Sequence, residues 1–275
     1  MSLSKAQVEY FREWGFLPTM PVMSTAEAQT LRDELEKHET SLQQPLKGAD
    51  RMRQHLIFRS LSRLIRSSTI LDRVESLIGP NIMVWSTDWW IKEPQSRTYV
   101  SWHQDSQYWG LDTTNLVTVW VALSPATSSS GCMKVIPGSH KGPNRKHEDL
   151  FDEYNMLTRG QSIPDVDEDQ AVDLAVNVGE AAMFAFRLIH SSPPNKTGDR
   201  RIGFAIRYLP PDAKQTLADK DSATLVRGED NFGYFEHEPA PAFDFDPITV
   251  AFHQKSDEQR RHLLYKGTSV TKHRT

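Results

Sequence analysis

Three side chains in this sequence have the types and spacing to hold a metal ion. His103 and Asp105 stand two apart in Ser101-Trp102-His103-Gln104-Asp105, and His190 ends the apolar run that begins at Ala181. Two neutral imidazoles and one carboxylate occupy one face of an ion and leave the other face open, which is the ligand set of non-haem Fe(II) oxygenases. On a β-strand, residues i and i+2 point the same way, so His103 and Asp105 reach one ion while Gln104 faces away. The third ligand then has to come from a distant strand that returns beside the first. A lone His-x-Asp is a weak signal and by chance a surface pair. The apolar, β-prone residues around both histidines weigh against that reading here.

Aromatic residues gather near the first two candidate ligands. Six of the seven tryptophans lie between Trp85 and Trp120. Trp89, Trp90, Trp102, Trp109 and Trp120, with Tyr108, either fill a core or wall a pocket for an apolar or cationic group. Asp88 shares a strand face with Trp90 and offers a counter-charge. Asp88, Trp90, Trp102, Tyr108 and Trp109 are therefore the candidate substrate contacts, and an amine or quaternary ammonium is the expected substrate group. His140 follows Pro137-Gly138-Ser139 and reads as part of a turn. His147, His237, His253, His262 and His273 sit in polar surroundings and read as solvated. The chain has no phosphate-binding glycine loop and no hydrolase serine elbow.

The elements that must position these residues fall into three stretches. Ser4 caps a predicted helix over Lys5 to Trp14, with Gly15 as its stop. Ser24 and Glu27 form a capping box ahead of a helix from Ala26 to Thr40, with Leu31 and Leu35 on one face. A third helical stretch runs from about Ser60 to Leu77 and stops at Gly79-Pro80. These helices are expected to pack outside a sheet. From Ile82 the pattern becomes β-branched and aromatic: Ile82 to Ile91, Tyr99 to Asp105, Val117 to Leu123, Cys132 to Ile136, Leu174 to Val178, Ala181 to Phe186 and Arg201 to Leu209. Many short strands without regular intervening helices imply a sandwich or jelly roll. The polar span from Lys141 to Gln170 reads as a long surface insertion of the kind that forms lids. After Pro211 periodicity lapses until a polar helix from Gln254 to Tyr265. The expectation is a single domain over 1–275: helical support over 1–80, a β core over 81–210 with the insertion at 141–170, and a C-terminal extension over 211–275.

Composition bounds the partners. A chain of 275 residues can bury a large core. Its net charge of -4 shows no basic excess, so nucleic acid is not an expected partner. The single cysteine, Cys132, cannot form a disulfide within the chain and reads as core packing. With no apolar leader and no run long enough to cross a bilayer, the expectation is a cytoplasmic protein without membrane association. Oligomeric state is not legible.

Four stretches carry a resemblance. They are Ser101-Trp102-His103-Gln104-Asp105, Gly131-Cys132-Met133-Lys134-Val135-Ile136-Pro137-Gly138-Ser139-His140, His190-Ser191-Ser192-Pro193-Pro194-Asn195 running to Arg200-Arg201-Ile202-Gly203, and the Phe-x-x-x-Gly-Phe pattern ending at Phe16. With them the chain resembles the phytanoyl-CoA dioxygenase family of Fe(II)/2-oxoglutarate oxygenases. The resemblance implies a mainly β fold with flanking helices, a double-stranded β-helix (jelly roll, cupin-like). It implies Fe(II), 2-oxoglutarate as co-substrate, and O2. His103, Asp105 and His190 match the family's iron ligands. Arg201 matches the arginine that pairs with the far carboxylate of 2-oxoglutarate, a role suited to a planar fork; Arg200 and Arg207 are nearby competitors. Trp120 matches a co-substrate tryptophan. His55 and Asp88 fall near other co-substrate contacts, although Asp88 departs from the neutral residue expected there. The implied activity is hydroxylation of an unactivated carbon of a small molecule. A non-catalytic cupin-like metal-binding or regulatory protein is the alternative from another class. A halogenase is disfavoured, because halogenating members lack the carboxylate that Asp105 supplies.

Overall fold

The computed structural model describes residues 1–264 apart from 108, 151, 158 and 159. Helix α1 (Lys5–Trp14) starts at a reciprocal cap: Gln7 N–H donates to Ser4 Oγ and Ser4 N–H donates to Gln7 Oε1 at 2.9 Å. Gly15 ends it in the left-handed region at φ 79°, where only glycine is free of strain. Strand β1 (Phe16–Pro21) follows, then α2 (Thr25–Leu42), capped by Ser24 and Glu27 in the same way. Leu31 and Leu35 are buried on α2 as its spacing predicts. The third predicted helix is two helices, α3 (Arg59–Leu64) and α4 (Ser68–Ile78). The break has a physical cause: Tyr208 Oη donates to Ile65 O at 3.0 Å, a carbonyl that a continuous helix would use for itself.

The strands follow in chain order: β2 (Ile82–Lys92), β3 (Val100–His103), β4 (Val117–Ala122), β5 (Met133–Val135), β6 (Glu148–Asp149), β7 (Gln161–Ser162), β8 (Val172–Leu174), β9 (Glu180–Ala185), β10 (His190–Ser192), β11 (Arg201–Leu209), β12 (Ser222–Arg227) and β13 (Glu236–His237), before helix α5 (Pro247–Leu264). A seven-stranded sheet in the order β1-β9-β4-β11-β2-β12-β13 faces a four-stranded sheet in the order β3-β10-β5-β8; β6 and β7 form a separate pair. This is the jelly-roll architecture that the many short strands predict. One face of the large sheet packs on the helices through Leu31, Leu61, Ile70, Val74, Ile206 and Phe204. The opposite face, with Trp120, Ala182, Phe184 and Ala205, packs toward Val135 and Leu174 of the small sheet. Strand β11 is therefore buried along its whole length, which suits its largely apolar sequence around Arg201 and Arg207.

Several elements depart from the sequence reading. Strand β1 contains Pro18 and Pro21, which hide it from a propensity reading, but it lies at the sheet edge where proline is tolerated. Strand β8 ends at Leu174, and Val176 beyond it makes only an isolated bridge to Ala126. The C-terminal part is not shapeless: β12 joins the large sheet, with Thr224 opposite Val84. Helix α5 begins at Pro247 rather than near Gln254, because Asp246 Oδ1 accepts from Ile248 N at 3.0 Å and proline suits the first helical position. The 141–170 span is bonded to β3 and the residue before it, through Met156 N to Tyr99 O at 2.8 Å and Ile163 N to Trp102 O at 2.7 Å. Among the described residues, no helix is long and apolar enough to cross a membrane.

Candidate active site

Strands β3 and β10 run antiparallel, and their register sets His190 opposite His103. The ring centroids lie 4.1 Å apart. Asp105 is not on the strand. It opens a single 3-10 turn, Asp105–Gln107. The alternation argument therefore fails for it; the turn, not the pleat, brings its Oδ1 to 3.5 Å from His103 Nε2. One donor atom from each of the three buried residues lies within 4.8 Å of the others, a set that fits a small divalent ion. His103 Nδ1 is 2.9 Å from Ser101 O and His190 Nδ1 is 3.0 Å from Leu188 O. Each Nδ1–H donates to its carbonyl, which leaves each Nε2 lone pair for a ligand. Burial, reinforced by the adjacent His103 ring, pushes the His190 pKa down to about 4. The ring is therefore neutral, as a metal ligand must be.

Gln104 faces away from these donors and does separate work. Its side chain donates to Arg187 O at 2.7 Å and accepts from Arg145 N at 2.8 Å, while its backbone N–H donates to His147 Nε2 at 2.9 Å. One buried carboxamide thus joins the end of β3, the 141–170 span and the turn leading into β10. His147 is consequently not a solvated histidine: burial pushes its pKa down to about 4, and its Nδ1 donates to Arg145 O. His253 likewise donates from Nε2 to Met52 O at 2.9 Å. His237 is exposed and paired with Asp230. His140 bonds to Arg12 O beneath Gly15. The side chain of His262 and all of His273 lie outside the described residues.

A cavity of roughly 570 Å³, counted with its open mouth, lies against the three donors. Trp90, Trp120, Phe184 and Met133 give it apolar walls, and Thr118, Ser192, Arg201 and Arg207 give it polar ones. Arg201 is buried. Its Nη2 donates to Ser192 Oγ at 3.3 Å, its guanidinium carbon is 5.3 Å from the Trp120 ring centre, and its Nε has no partner among the described residues. Burial lowers its pKa only to about 10, so it stays charged at neutral pH. Gly203 makes room for Trp120, because a Cβ there would fall inside the indole. Arg200 points the other way, to Glu39 at 2.7 Å and Glu93 at 2.8 Å.

The remaining predicted residues are scattered. Trp90 and Trp120 reach the cavity. Asp88 does not offer a free counter-charge, because Arg207 Nη1 donates to its Oδ2; a buried carboxylate is stable only with such a partner. Trp109 stands behind Arg207 at 4.8 Å and packs on Trp85 and Phe186. Trp102 is half-buried beside the 141–170 span and is absent from the cavity wall. Tyr108 lies outside the described residues. His55 is also away from the cavity: its buried ring is bonded to Thr87 Oγ1 at 2.9 Å and Glu238 Oε2 at 3.0 Å. Sequence reasoning passed over Phe184, whose ring lies 4.8 Å from that of His190, and Thr118. Strand alternation from Trp120 would have found Thr118, whereas Phe184 follows only from the register that sets Ala182 opposite Trp120.

Comparison with known proteins adds independent findings. Residues 11–203 match the family described as Phytanoyl-CoA dioxygenase (PhyH). The peroxisomal phytanoyl-CoA dioxygenase of Bos taurus is 31% identical over 231 residues, 75% of this chain and 68% of that protein. Among solved structures, the non-heme monooxygenase ThoJ in its apo form aligns with a TM-score of 0.83 at 31% identity, over 94% of this chain and 98% of that one. CytC3 with Fe(II) and alpha-ketoglutarate aligns with a TM-score of 0.64 at 22% identity, over 85% of this chain and 92% of that one. This last is a likeness of fold.

Proposed function

This chain belongs to the phytanoyl-CoA dioxygenase family and is an Fe(II)/2-oxoglutarate-dependent dioxygenase, and on that premise we propose that it hydroxylates an unactivated carbon of a small molecule in the cavity beside His103, Asp105 and His190. Those three side chains hold the iron in this reading, and Arg201 receives the far carboxylate of 2-oxoglutarate. The observation that carries it is Arg201 itself: a buried guanidinium to which the described residues give one hydroxyl, one aromatic face and no acid. Burying a cation without a counter-charge costs several kcal/mol, and a dicarboxylic co-substrate supplies that charge. Arg207 faces the same cavity but already holds Asp88, which disfavours it for the role.

Iron and 2-oxoglutarate, when bound, supply the oxidising chemistry. The chain orients and shields. The Ser101 and Leu188 carbonyls hold the imidazole protons on Nδ1, which leaves both Nε2 lone pairs for the iron that these residues would hold. Trp120, for which Gly203 makes room, lies against the Arg201 guanidinium. Trp90, Met133 and Phe184 line the cavity with apolar surface that excludes water. Asp105 occupies the carboxylate position, which opposes halogenation, and family membership opposes the non-catalytic alternative. An amine or quaternary ammonium loses its main support once Asp88 is spent on Arg207. We read 1–275 as one oxygenase domain, since β1 and β12 from the two flanking parts join one sheet. Its single buried cysteine favours a cytoplasmic setting.

The test is succinate formation from 2-oxoglutarate with and without added Fe(II), together with metal titration of His190→Ala. Fe(II)-dependent succinate in the parent protein and loss of metal binding in the variant are expected. Parent-like iron affinity and turnover in His190→Ala would remove the ligand assignment.

A further inference from the structure

Five lysine or arginine side chains are buried among the described residues: Arg53, Lys92, Arg201, Arg207 and Arg260. Three of them hold a carboxylate. Arg53 is paired with Glu238, Arg207 with Asp88 and Arg260 with Asp221. Among the described residues, no acid pairs with Lys92 or Arg201. These two are partners in the antiparallel register of β2 and β11, so their side chains leave the same face of the sheet side by side. Like charges placed opposite each other repel, and a low-dielectric interior strengthens the repulsion.

One hydroxyl joins the two cations. Lys92 Nζ donates to Ser192 Oγ, to Pro193 O and, at 2.9 Å, to Ser192 O. Three acceptors suit the three protons of an ammonium. Arg201 Nη2 donates to the same Ser192 Oγ at 3.3 Å, so the two charged nitrogens lie within about 6 Å of each other. Ser192 sends its own proton to Gly131 O at 3.3 Å, which leaves its lone pairs to the cations. Ser192 and Arg201 line the cavity, and Lys92 stands behind them, fully buried. Cys132 does not supply the missing negative charge, because burial pushes its thiol up to about 11. Two adjacent buried cations are stable only with an anion nearby, and the cavity is where one can enter.

We propose that Lys92 is a positioning residue of the co-substrate site: from behind Ser192 it adds a second positive charge to that of Arg201, so that two cations rather than one hold the far carboxylate of 2-oxoglutarate. This inference rests on Arg201 receiving that carboxylate. Lys92 does not touch the ligand. It fixes the hydroxyl to which Arg201 is bonded, and its charge acts across the few ångströms of dry interior between them. A lysine that only latched β2 to residues 192 and 193 would gain nothing from standing opposite an unpaired arginine. The charge is what distinguishes the two roles, and it can be removed while donors to the carbonyls are kept.

Two variants make the test: Lys92→Gln, which keeps N–H donors for the carbonyls, and Lys92→Met, which keeps only the length. 2-Oxoglutarate is titrated calorimetrically into each Fe(II)-loaded protein without oxygen, and Fe(II) binding is titrated separately. Both variants should bind 2-oxoglutarate at least about tenfold more weakly, the effect of one unit charge at this range. Their Fe(II) affinity should match the parent's, whereas a broken latch would disturb β10 and lower iron affinity through His190. The pH profile is a second readout. Burial and the Arg201 charge push the Lys92 pKa down to about 6, and an added carboxylate raises it. The complex then binds more protons than the free protein, so 2-oxoglutarate affinity in the parent should fall as pH rises from about 6 to about 8. Arg201, at about 10, and Cys132, at about 11, are the other groups whose charge reaches Lys92, and neither titrates in that window. The profile should flatten in both variants. Parent-like 2-oxoglutarate affinity in Lys92→Gln, an equal loss of iron affinity, or one pH slope shared by parent and variants overturns the proposal. If neither variant folds, the parent profile decides, and a flat one overturns it. A parent protein that binds Fe(II) but no 2-oxoglutarate removes the Arg201 assignment and this inference together, whereas tight parent binding that the variants retain removes the role of Lys92 alone.

Discussion

Three arginines close together in sequence show how neighbours decide what a guanidinium does. Arg200 lies between Glu39 and Glu93 and ties α2 to the sheet. Arg207 holds Asp88. Arg201 alone of the three faces the cavity without an acid among the described residues. Arg201→Ala should therefore raise KM for 2-oxoglutarate by about 30-fold or more, since losing a buried charge-assisted pair costs about 2–5 kcal/mol. Arg200→Ala should leave that KM near the parent value. Steady-state kinetics on the two variants decides, and the larger effect appearing in Arg200→Ala would reverse the assignment. Gly203 allows a second test at this scale. An added Cβ would fall inside the Trp120 ring, and overpacking of this kind costs about 1–3 kcal/mol. Gly203→Ala should raise KM for 2-oxoglutarate severalfold while iron affinity, read by metal titration, stays put. An unchanged KM would mean that Trp120 has room to move without consequence.

At the scale of elements, the site depends on one strand pair and one turn. The antiparallel register of β3 and β10 brings together two histidines that are far apart in sequence, and the 3-10 turn at Asp105 adds the carboxylate. Gln104 braces this arrangement from behind through Arg145 and Arg187. Gln104→Ala would remove the partner of the half-buried Arg187 carbonyl and of the Arg145 N–H, at about 0.5–1.5 kcal/mol each. Amides of the 145–163 span should then exchange faster, and Fe(II) should bind more weakly than in the parent, even though no candidate ligand is changed. Hydrogen exchange and metal titration together check this. Parent-like exchange over that span would show that the β3 backbone bonds suffice to hold it.

At the scale of the whole molecule, burial of histidines sets an acid limit. Six of the ten histidines, His38, His55, His140, His147, His190 and His253, have pKa values lowered, and desolvation is the leading cause for each. A ring whose folded pKa lies below its unfolded value near 6.5 binds fewer protons folded than unfolded. Its contribution is fully present above about pH 6.5 and is lost as pH falls toward the folded value. At pH 5.5 each fully buried ring withdraws up to about 1.4 kcal/mol, and half-buried rings withdraw less. The metal-free protein should show a lower urea midpoint at pH 5.5 than at pH 7.5. Equal midpoints would mean that these rings gain protons in the folded state at little cost. His55 and His253 sit where the segment around residue 52, β12, β13 and α5 meet, so loosening of the C-terminal part should lead the acid transition.

The sequence by itself determined much of the local structure and the choice of chemistry. Ser4 and Ser24 marked two helix starts, and Gly15 marked a stop, because caps act within a few residues. The β-branched and aromatic residues between Arg201 and Leu209 marked a strand. His103, Asp105 and His190 could be singled out because their types and spacing suit a metal ion, whereas Arg201 was set apart from Arg200 and Arg207 through the family resemblance. Tertiary structure alone decided which polar groups are spent. Asp88 finds Arg207 119 positions away, and His55 finds Glu238 183 positions away. A hydroxyl from β11 ends α3 at Ile65. These outcomes depend on the register between strands remote in sequence, and on the cost of leaving a buried charge unpaired. Periodicity within a segment reports neither.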